Sequence, residues 1–371
     1  MNLSEWPEHA SNGMVIAELR GSVGVITLNR PQALNALTLA MTRDLTAVLL
    51  RWRHDERVQG VVLRGTGREG KAPAFCAGGD IRWLREAALA GNPQVEDFFT
   101  EEYTLNHLIR FWGKPFIVLM NGVTMGGGMG VAQGATLRVV TEHSRLAMPE
   151  TRIGLFPDVG GGWFLSRCPG RIGEYLALTG RQLGAADAIA VGLADLFIPA
   201  DGLPALVEAL TDQPMETAEQ VTATVKARAQ QPPEGELAAH RTDIDRLFAL
   251  PTVAEIVGVL ATETTAFAQD TAKALQQSSP LMMAVTLEQV RRARGMTLAE
   301  DLRMERDLVR HCFHLRPGAA SETSEGVRAA LVDKDHRPRW NPARIEDVSA
   351  EEVAAFFQSP WPAHAHPLRG L

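Results

Sequence analysis

The chain has 371 residues, 45% of them hydrophobic and 22% charged, and a formal charge of −7. Such a length suits one large domain with an appendage, and mild acidity speaks against a protein that coats nucleic acid while leaving anionic small ligands open. Three widely spaced cysteines, Cys76, Cys168 and Cys312, suggest neither a disulfide framework nor a zinc site and fit a reducing compartment.

The opening MNLSEWPEHASNG carries two glutamates and no apolar stretch, unlike a secretory signal or an Arg-rich transit peptide. No apolar run reaches the roughly 18 residues of a membrane span, so the expectation is a cytoplasmic protein without membrane or nucleic-acid partners. GVITLN (24–29) and GVVLRG (60–65) read as short strands. Between them Leu39, Met41, Leu45, Val48, Leu49 and Trp52 recur at helical spacing. FIVLMNG (116–122), LRVVTE and RLAMPE predict further strands, 171–192 a helical stretch, and DLFIP a last strand. The order is α/β with crossover helices. Residues 212–280 predict helices joined by polar turns, with QQPPEGE as a breaker, and the segment from 281 a helical pair hinged at Gly295. A soft boundary near 200–210 divides a core of residues 1–205 from a mainly helical 206–371.

Glycines cluster just after strand ends, in AGGD at 77–80, MGGGMG at 125–130 and VGGG at 159–162. Glycine there permits positive φ and lets a ligand approach the backbone. The third cluster comes after two acids in MPETRIGLFPDVGGG, Glu150 and Asp158.

NRPQALNALT, AFCAGGDI, NGVTMGGGMG and MPETRIGLFPDVGGGWFLSR together resemble the crotonase (enoyl-CoA hydratase/isomerase) superfamily, and more narrowly its 3-hydroxyisobutyryl-CoA hydrolase branch. The resemblance continues through LALTGRQLGAADAIAVGLAD, SSPLMMAVTLEQ, EDLRMERDL and EGVRAALVDKDHRPRWNP. It implies a spiral of ββα units, a helical C-terminal region over the active site, and an acyl-CoA thioester as substrate. Coenzyme A is then part of the substrate, with no separate cofactor and no metal. It also implies a homo-oligomer, a trimer or hexamer, although a self-covering C-terminus permits smaller assemblies.

A thioester carbonyl under attack becomes an oxyanion, which preorganised N–H donors stabilise. By motif position the donors are the backbone N–H groups of Gly79 and Gly127, the latter at the start of a helix. Hydratases of the superfamily place one glutamate four residues after the first glycine of GGG. That position is Gly130 here, while Glu150 fills the second acid position and Asp158 the aspartate that the hydrolase branch adds. Water addition to a double bond needs a proton delivered to carbon, whereas thioester hydrolysis needs an activated water or a carboxylate nucleophile. Glu150 is the expected base, or the nucleophile of an acyl-glutamyl anhydride, and Asp158 orients the substrate hydroxyl or the water. A neighbouring like charge raises an acid's pKa. By family analogy Ala33, Leu34 and Ala77 contact coenzyme A, with Asp80, Arg30 and Lys71 as further binding candidates. Asp80 equally reads as the cap of a helix, and Glu150 as a strand-end acid that caps the next helix.

His311 and His314 in HCFH lack a third ligand and read as packing or surface residues, and Arg291 and Arg292 as a solvated helix face. The segment HLRPGAASETSEG departs from the family by its length and by Glu322-Thr323 in place of an Asp-Phe pair, which bears on acyl specificity. Three activities are to be told apart: a 3-hydroxyacyl-CoA hydrolase, an enoyl-CoA hydratase or isomerase, and an idle CoA-ester-binding protein.

Overall fold

The computed structural model describes residues 10–68, 70–212 and 214–371. Strands β1 (Val15–Arg20) and β2 (Val23–Leu28) form an antiparallel pair that leads into helix α1 (Leu39–Arg53). Next come β3 (Gly60–Gly65) and β4 (Ala74–Cys76), then α2 (Ile81–Leu89) and α3 (Gln94–Arg110). β5 (Phe116–Met120) and β6 (Val123–Met125) precede α4 (Gly127–Gln133), and β7 (Leu137–Val140) and β8 (Arg145–Ala147) precede α5 (Gly161–Leu165). α6 (Ile172–Thr179) and α7 (Ala185–Ala190) come before β9 (Leu196–Phe197). Helices come next: α8 (Leu203–Thr211), α9 (Ala218–Lys226), α10 (Arg241–Leu247), α11 (Val253–Leu260) and α12 (Ala266–Gln276). The last are α13 (Pro280–Ala293), α14 (Leu298–His314), α15 (Glu322–Val327) and α16 (Ala350–Phe356).

The pairing explains the repeat. One sheet has the order β1-β2-β3-β5-β7-β9 and the other β4-β6-β8. In each of β3–β4, β5–β6 and β7–β8 the first strand therefore joins the large sheet, the second joins the small one, and a helix comes after. That is the expected spiral of ββα units. From β2 to β9 the neighbours in the large sheet run parallel.

Two compact units emerge, and they interleave along the chain. The first takes in residues up to Gly79, Thr104–Leu146 and Leu183–Gly235, and the second Asp80–Tyr103, Ala147–Gln182 and Glu236–Leu371. A cut between 205 and 206 separates the strands from the last helices in sequence, yet these units do not follow it. The reason is that Ala147–Gln182, which carries both candidate acids, packs with the C-terminal helices.

In the first unit, alternate residues of the large sheet, Ile117 and Leu119 with Leu137 and Val139, are buried beneath Leu206, Val207 and Leu210 of α8 and Val221 and Val225 of α9. β5 is buried along its whole length, as a parallel strand covered on both faces is, and each such side chain stabilises by about 1.5–3 kcal/mol. In the second unit α13 packs on α5 and α6. α14 begins with a capping box, Thr297 with Glu300, which satisfies donors at its N-terminus. The hinge expected at Gly295 falls between α13 and α14.

Candidate active site

The glycine turns of the first unit meet one another. β4 and β6 pair in parallel, so the turns after them, at 77–79 and 126–128, lie side by side. A Cβ on Gly78 would stand 3.4 Å from Met125 O and 3.6 Å from Gly127 N. Gly128 must be glycine, because a Cβ there would lie 2.2 Å from Cys76 O. Gly79 pairs with Leu37 in a parallel bridge that uses the Gly78 carbonyl, on which Leu37 N–H donates at 2.7 Å. Gly127 opens α4, and the first N–H of a helix has no intrahelical acceptor. The two expected oxyanion donors thus come from adjoining turns. Gly130 is buried within α4, its N–H donating to Gly126 O at 3.1 Å.

Three of the coenzyme A candidates gather beside these turns. Ala33 ends a short 3-10 turn, Leu34 comes directly after it, and Ala77 N–H donates to Leu34 O at 3.0 Å. Asn35 fixes the arrangement by donating to the carbonyls of Thr66, Ala74 and Phe75. The Arg30 guanidinium donates to Ala36 O at 3.1 Å, which gives it a structural duty. Lys71 lies exposed in the β3–β4 connection. Asp80, which opens the second unit, caps α2 by accepting from Trp83 N–H.

The second unit holds the acids. Pro149 holds the cap position of the 3-10 turn Glu150–Ile153, so Glu150 is the first residue of that turn and not its cap. Glu150 is buried, and its Oε2 has no hydrogen-bond partner among the described residues. Burial first, and then the charge of Asp158, push its carboxyl well above the ordinary glutamate range. Asp158 is also buried and accepts from the Tyr103 hydroxyl at 2.8 Å. Burial lifts it to about 6, while the Tyr103 bond and its own backbone oppose the rise. Since Asp158 is the acid with hydrogen-bond support, it takes the first charge and Glu150 keeps its proton to higher pH.

Sequence reasoning missed two members of this group. Glu102 and Tyr103 lie on α3, far from the glycine motifs. Glu102 is buried, its Oε1 is unpartnered among the described residues, and burial followed by the charge of Asp158 raises its carboxyl well above normal. The faint signal was EEY inside an otherwise amphipathic helix. Buried acids raised by burial and like charge are a mark of functional sites.

The departing segment is ordered. Glu322 opens α15 and accepts from the Ser279 hydroxyl and from Asn341 N–H, while Thr323 donates to Gly154 O at 2.7 Å. His311 reaches Gln358 O and His314 reaches Glu96, as side chains with structural partners do. Arg291 differs from its expected solvated role, since it donates to the carbonyls of Phe248, Leu250 and Pro251. Cys76, Cys168 and Cys312 are buried free thiols. Among the described residues no helix is long and apolar enough to cross a membrane.

The enoyl-CoA hydratase/isomerase family model matches residues 23–357. Mitochondrial 3-hydroxyisobutyryl-CoA hydrolase of Rattus norvegicus is 40% identical over 357 residues, which cover 95% of this chain and 90% of the relative. Its Bos taurus counterpart is 41% identical over 350 residues, 93% of this chain and 88% of the relative. Among solved structures, an enoyl-CoA hydratase from Rhodobacter sphaeroides 2.4.1 superposes with a TM-score of 0.85 at 40% identity, covering 93% of this chain and 97% of that one. A carnitinyl-CoA dehydratase from Mycobacterium thermoresistibile gives 0.83 at 37%, covering 94% and 97%. With its paired glycine turns, its buried acids and these likenesses, the chain belongs to the enoyl-CoA hydratase/isomerase family, on the branch of the 3-hydroxyisobutyryl-CoA hydrolases.

Proposed function

We propose that the chain hydrolyses the thioester of a 3-hydroxyacyl-CoA, 3-hydroxyisobutyryl-CoA above all, to the free acid and coenzyme A, a step of valine breakdown. The observation that carries this reading is the buried pair Glu150 and Asp158 together with a glycine, Gly130, at the position of a hydratase's other acid. The named activity of the relatives at 40–41% identity supports it.

The roles come from the chemistry. The N–H groups of Gly79 and Gly127 stabilise the oxyanion that forms as the carbonyl carbon is attacked. Ionised Glu150 attacks that carbon directly, giving an anhydride that water then opens, or takes a proton from the attacking water. A raised pKa makes its carboxylate the stronger base for either route. Asp158, already charged, orients the substrate's 3-hydroxyl. The thiolate leaves with little assistance, and coenzyme A enters and departs as substrate, so the reaction asks for no further cofactor. Three buried free thiols suit a reducing compartment, the cytoplasm in our reading, whereas the animal relatives are named as mitochondrial.

A second reading, hydration of an enoyl-CoA, draws on the titles of the two solved structures. The glycine at 130 weighs against it. An idle CoA-ester binder would gain nothing from the unpartnered oxygens of Glu150 and Glu102, which cost stability unless used. The test supplies 3-hydroxyisobutyryl-CoA and crotonyl-CoA, then tracks thiol release and enoyl absorbance separately. Thiol release from the first ester is expected. Enoyl loss without thiol release would replace hydrolysis by hydration, and silence in both assays despite CoA-ester binding would favour the idle binder.

A further inference from the structure

The turn that carries Asp158 is strained and clamped. Val159, a β-branched residue, sits at φ +57° in the left-handed region, which side chains of that shape avoid. Such a conformation persists only where the surroundings over-determine it. Here the surroundings are three side chains of α13 and α14. Glu305 accepts from Gly160 N–H at 2.7 Å with one oxygen and from Gly162 N–H at 2.9 Å with the other. Asp301, one helical turn earlier, accepts from Trp163 N–H at 2.8 Å. Gln289 donates to Pro157 O at 2.7 Å and to Glu305 at 3.1 Å. Glu305, Asp301 and Gln289 are each 0% exposed.

Glycine is required at 162, since a Cβ there would stand 2.3 Å from Asp301 Oδ1. That oxygen meets no N–H or hydroxyl donor among the described residues. Burial lifts Asp301 to about 7, and burial with the charge of Asp301 lifts Glu305 well above its ordinary range. Two adjacent buried acids of this kind hold one proton between them, leaving oxygens to accept from the turn.

We propose that Glu305, steadied by Asp301 and Gln289, is the positioning residue for Asp158: by gripping the N–H groups just past the strained Val159, it aims the Asp158 carboxylate at Tyr103. The catalytic consequence rests on the hydrolase reading, while the structural one rests on the turn alone. The other titratable groups that sense Asp158 are Glu102, Tyr103, Glu150 and Cys312, so an altered aim is felt across the whole group.

The chain contains two tyrosines, Tyr103 and Tyr175, so ring-ζ ¹³C-tyrosine labelling gives two resonances, assigned with Tyr103→Phe and Tyr175→Phe. In Glu305→Gln the Tyr103 signal should move, along with its pH dependence near 6, while Tyr175 stays. In the same protein kcat for thiol release should fall about 30- to 100-fold with KM within about threefold, as expected for a misplaced reacting group. Asp301→Asn, which keeps a carbonyl for Trp163 N–H, should move the Tyr103 signal in the same direction by less, and carries the comparison alone if Glu305→Gln does not fold. An unmoved Tyr103 signal in the folded variants overturns the proposal whatever their activity. A wild-type protein that releases no thiol, but whose Tyr103 signal still moves in the variants, sinks the hydrolase reading and upholds the positioning role.

Discussion

The first unit offers its chemistry through the backbone and the second through side chains. Around Gly79 and Gly127 the groups on offer are backbone N–H donors of two adjoining turns, and Gly128 lies so close to Cys76 O that a methyl group is excluded. Around Asp158 the backbone is itself held by side chains, and Glu102, Glu150 and Asp158 are buried where charge is costly. The difference teaches that one unit should respond to sterics and the other to pH.

The largest expected effect is that of Glu150→Gln, which keeps the shape and removes the base, and should lower kcat for thiol release by about 10³-fold or more with CoA-ester binding retained. A variant with near wild-type turnover would remove Glu150 from the chemistry. Next comes Gly128→Ala in the backbone unit. The added Cβ forces the turn away from Cys76 and displaces the neighbouring Gly127 N–H, with an expected loss of about 10²-fold in kcat and no change in the shape of the pH profile. A shifted profile would break the contrast between the units.

Asp158→Asn should lower kcat by about 10- to 100-fold, and it carries a stability signature with a definite sign. The folded value of Asp158 is raised from 3.8 to about 6, so the stability linked to it is present below the unfolded value and lost as pH rises through about 6. Replacing it with asparagine removes that loss. The variant should therefore gain about 1–3 kcal/mol relative to wild type between pH 4 and 7, read by thermal or denaturant melts; a flat difference would show that Asp158 titrates normally. The smallest effect on activity belongs to Ile117→Ala in the first unit's core. It should cost about 2–5 kcal/mol of stability, equally at all pH values, with turnover of the folded fraction unchanged.

Much of this was legible in the sequence, for physical reasons that can be named. GVVLRG predicted β3 residue for residue because a Val-Val-Leu run and one arginine, bounded by glycines at 60 and 65, leave few alternatives. Glycine clusters marked the turns because few other residues fit there. β4 and β6 were not singled out as strands, being three residues each and hard against the glycine turns that drew the eye. Glu150 and Asp158 stood out beside the glycines, but Glu102, Tyr103, Glu305 and Asp301 lie on α3 and α14, inside ordinary amphipathic patterns. Their burial against the 157–163 turn is a tertiary fact, and no local spacing encodes it. The interleaving of the two units was hidden for the same reason, since a linear boundary near 205 tracks composition while packing tracks contact.

The central claim is that burial and the charge of Asp158 raise Glu150, and that hydrolysis waits for Glu150 to ionise. It is tested most directly by the pH dependence of single-turnover thiol release from 3-hydroxyisobutyryl-CoA in wild type and Asp158→Asn. The account predicts an acid limb well above the ordinary glutamate range in wild type, and a limb moved to lower pH in the variant because the neighbouring negative charge is gone. A limb at the ordinary value near 4.5, or one that Asp158→Asn leaves in place, would contradict it.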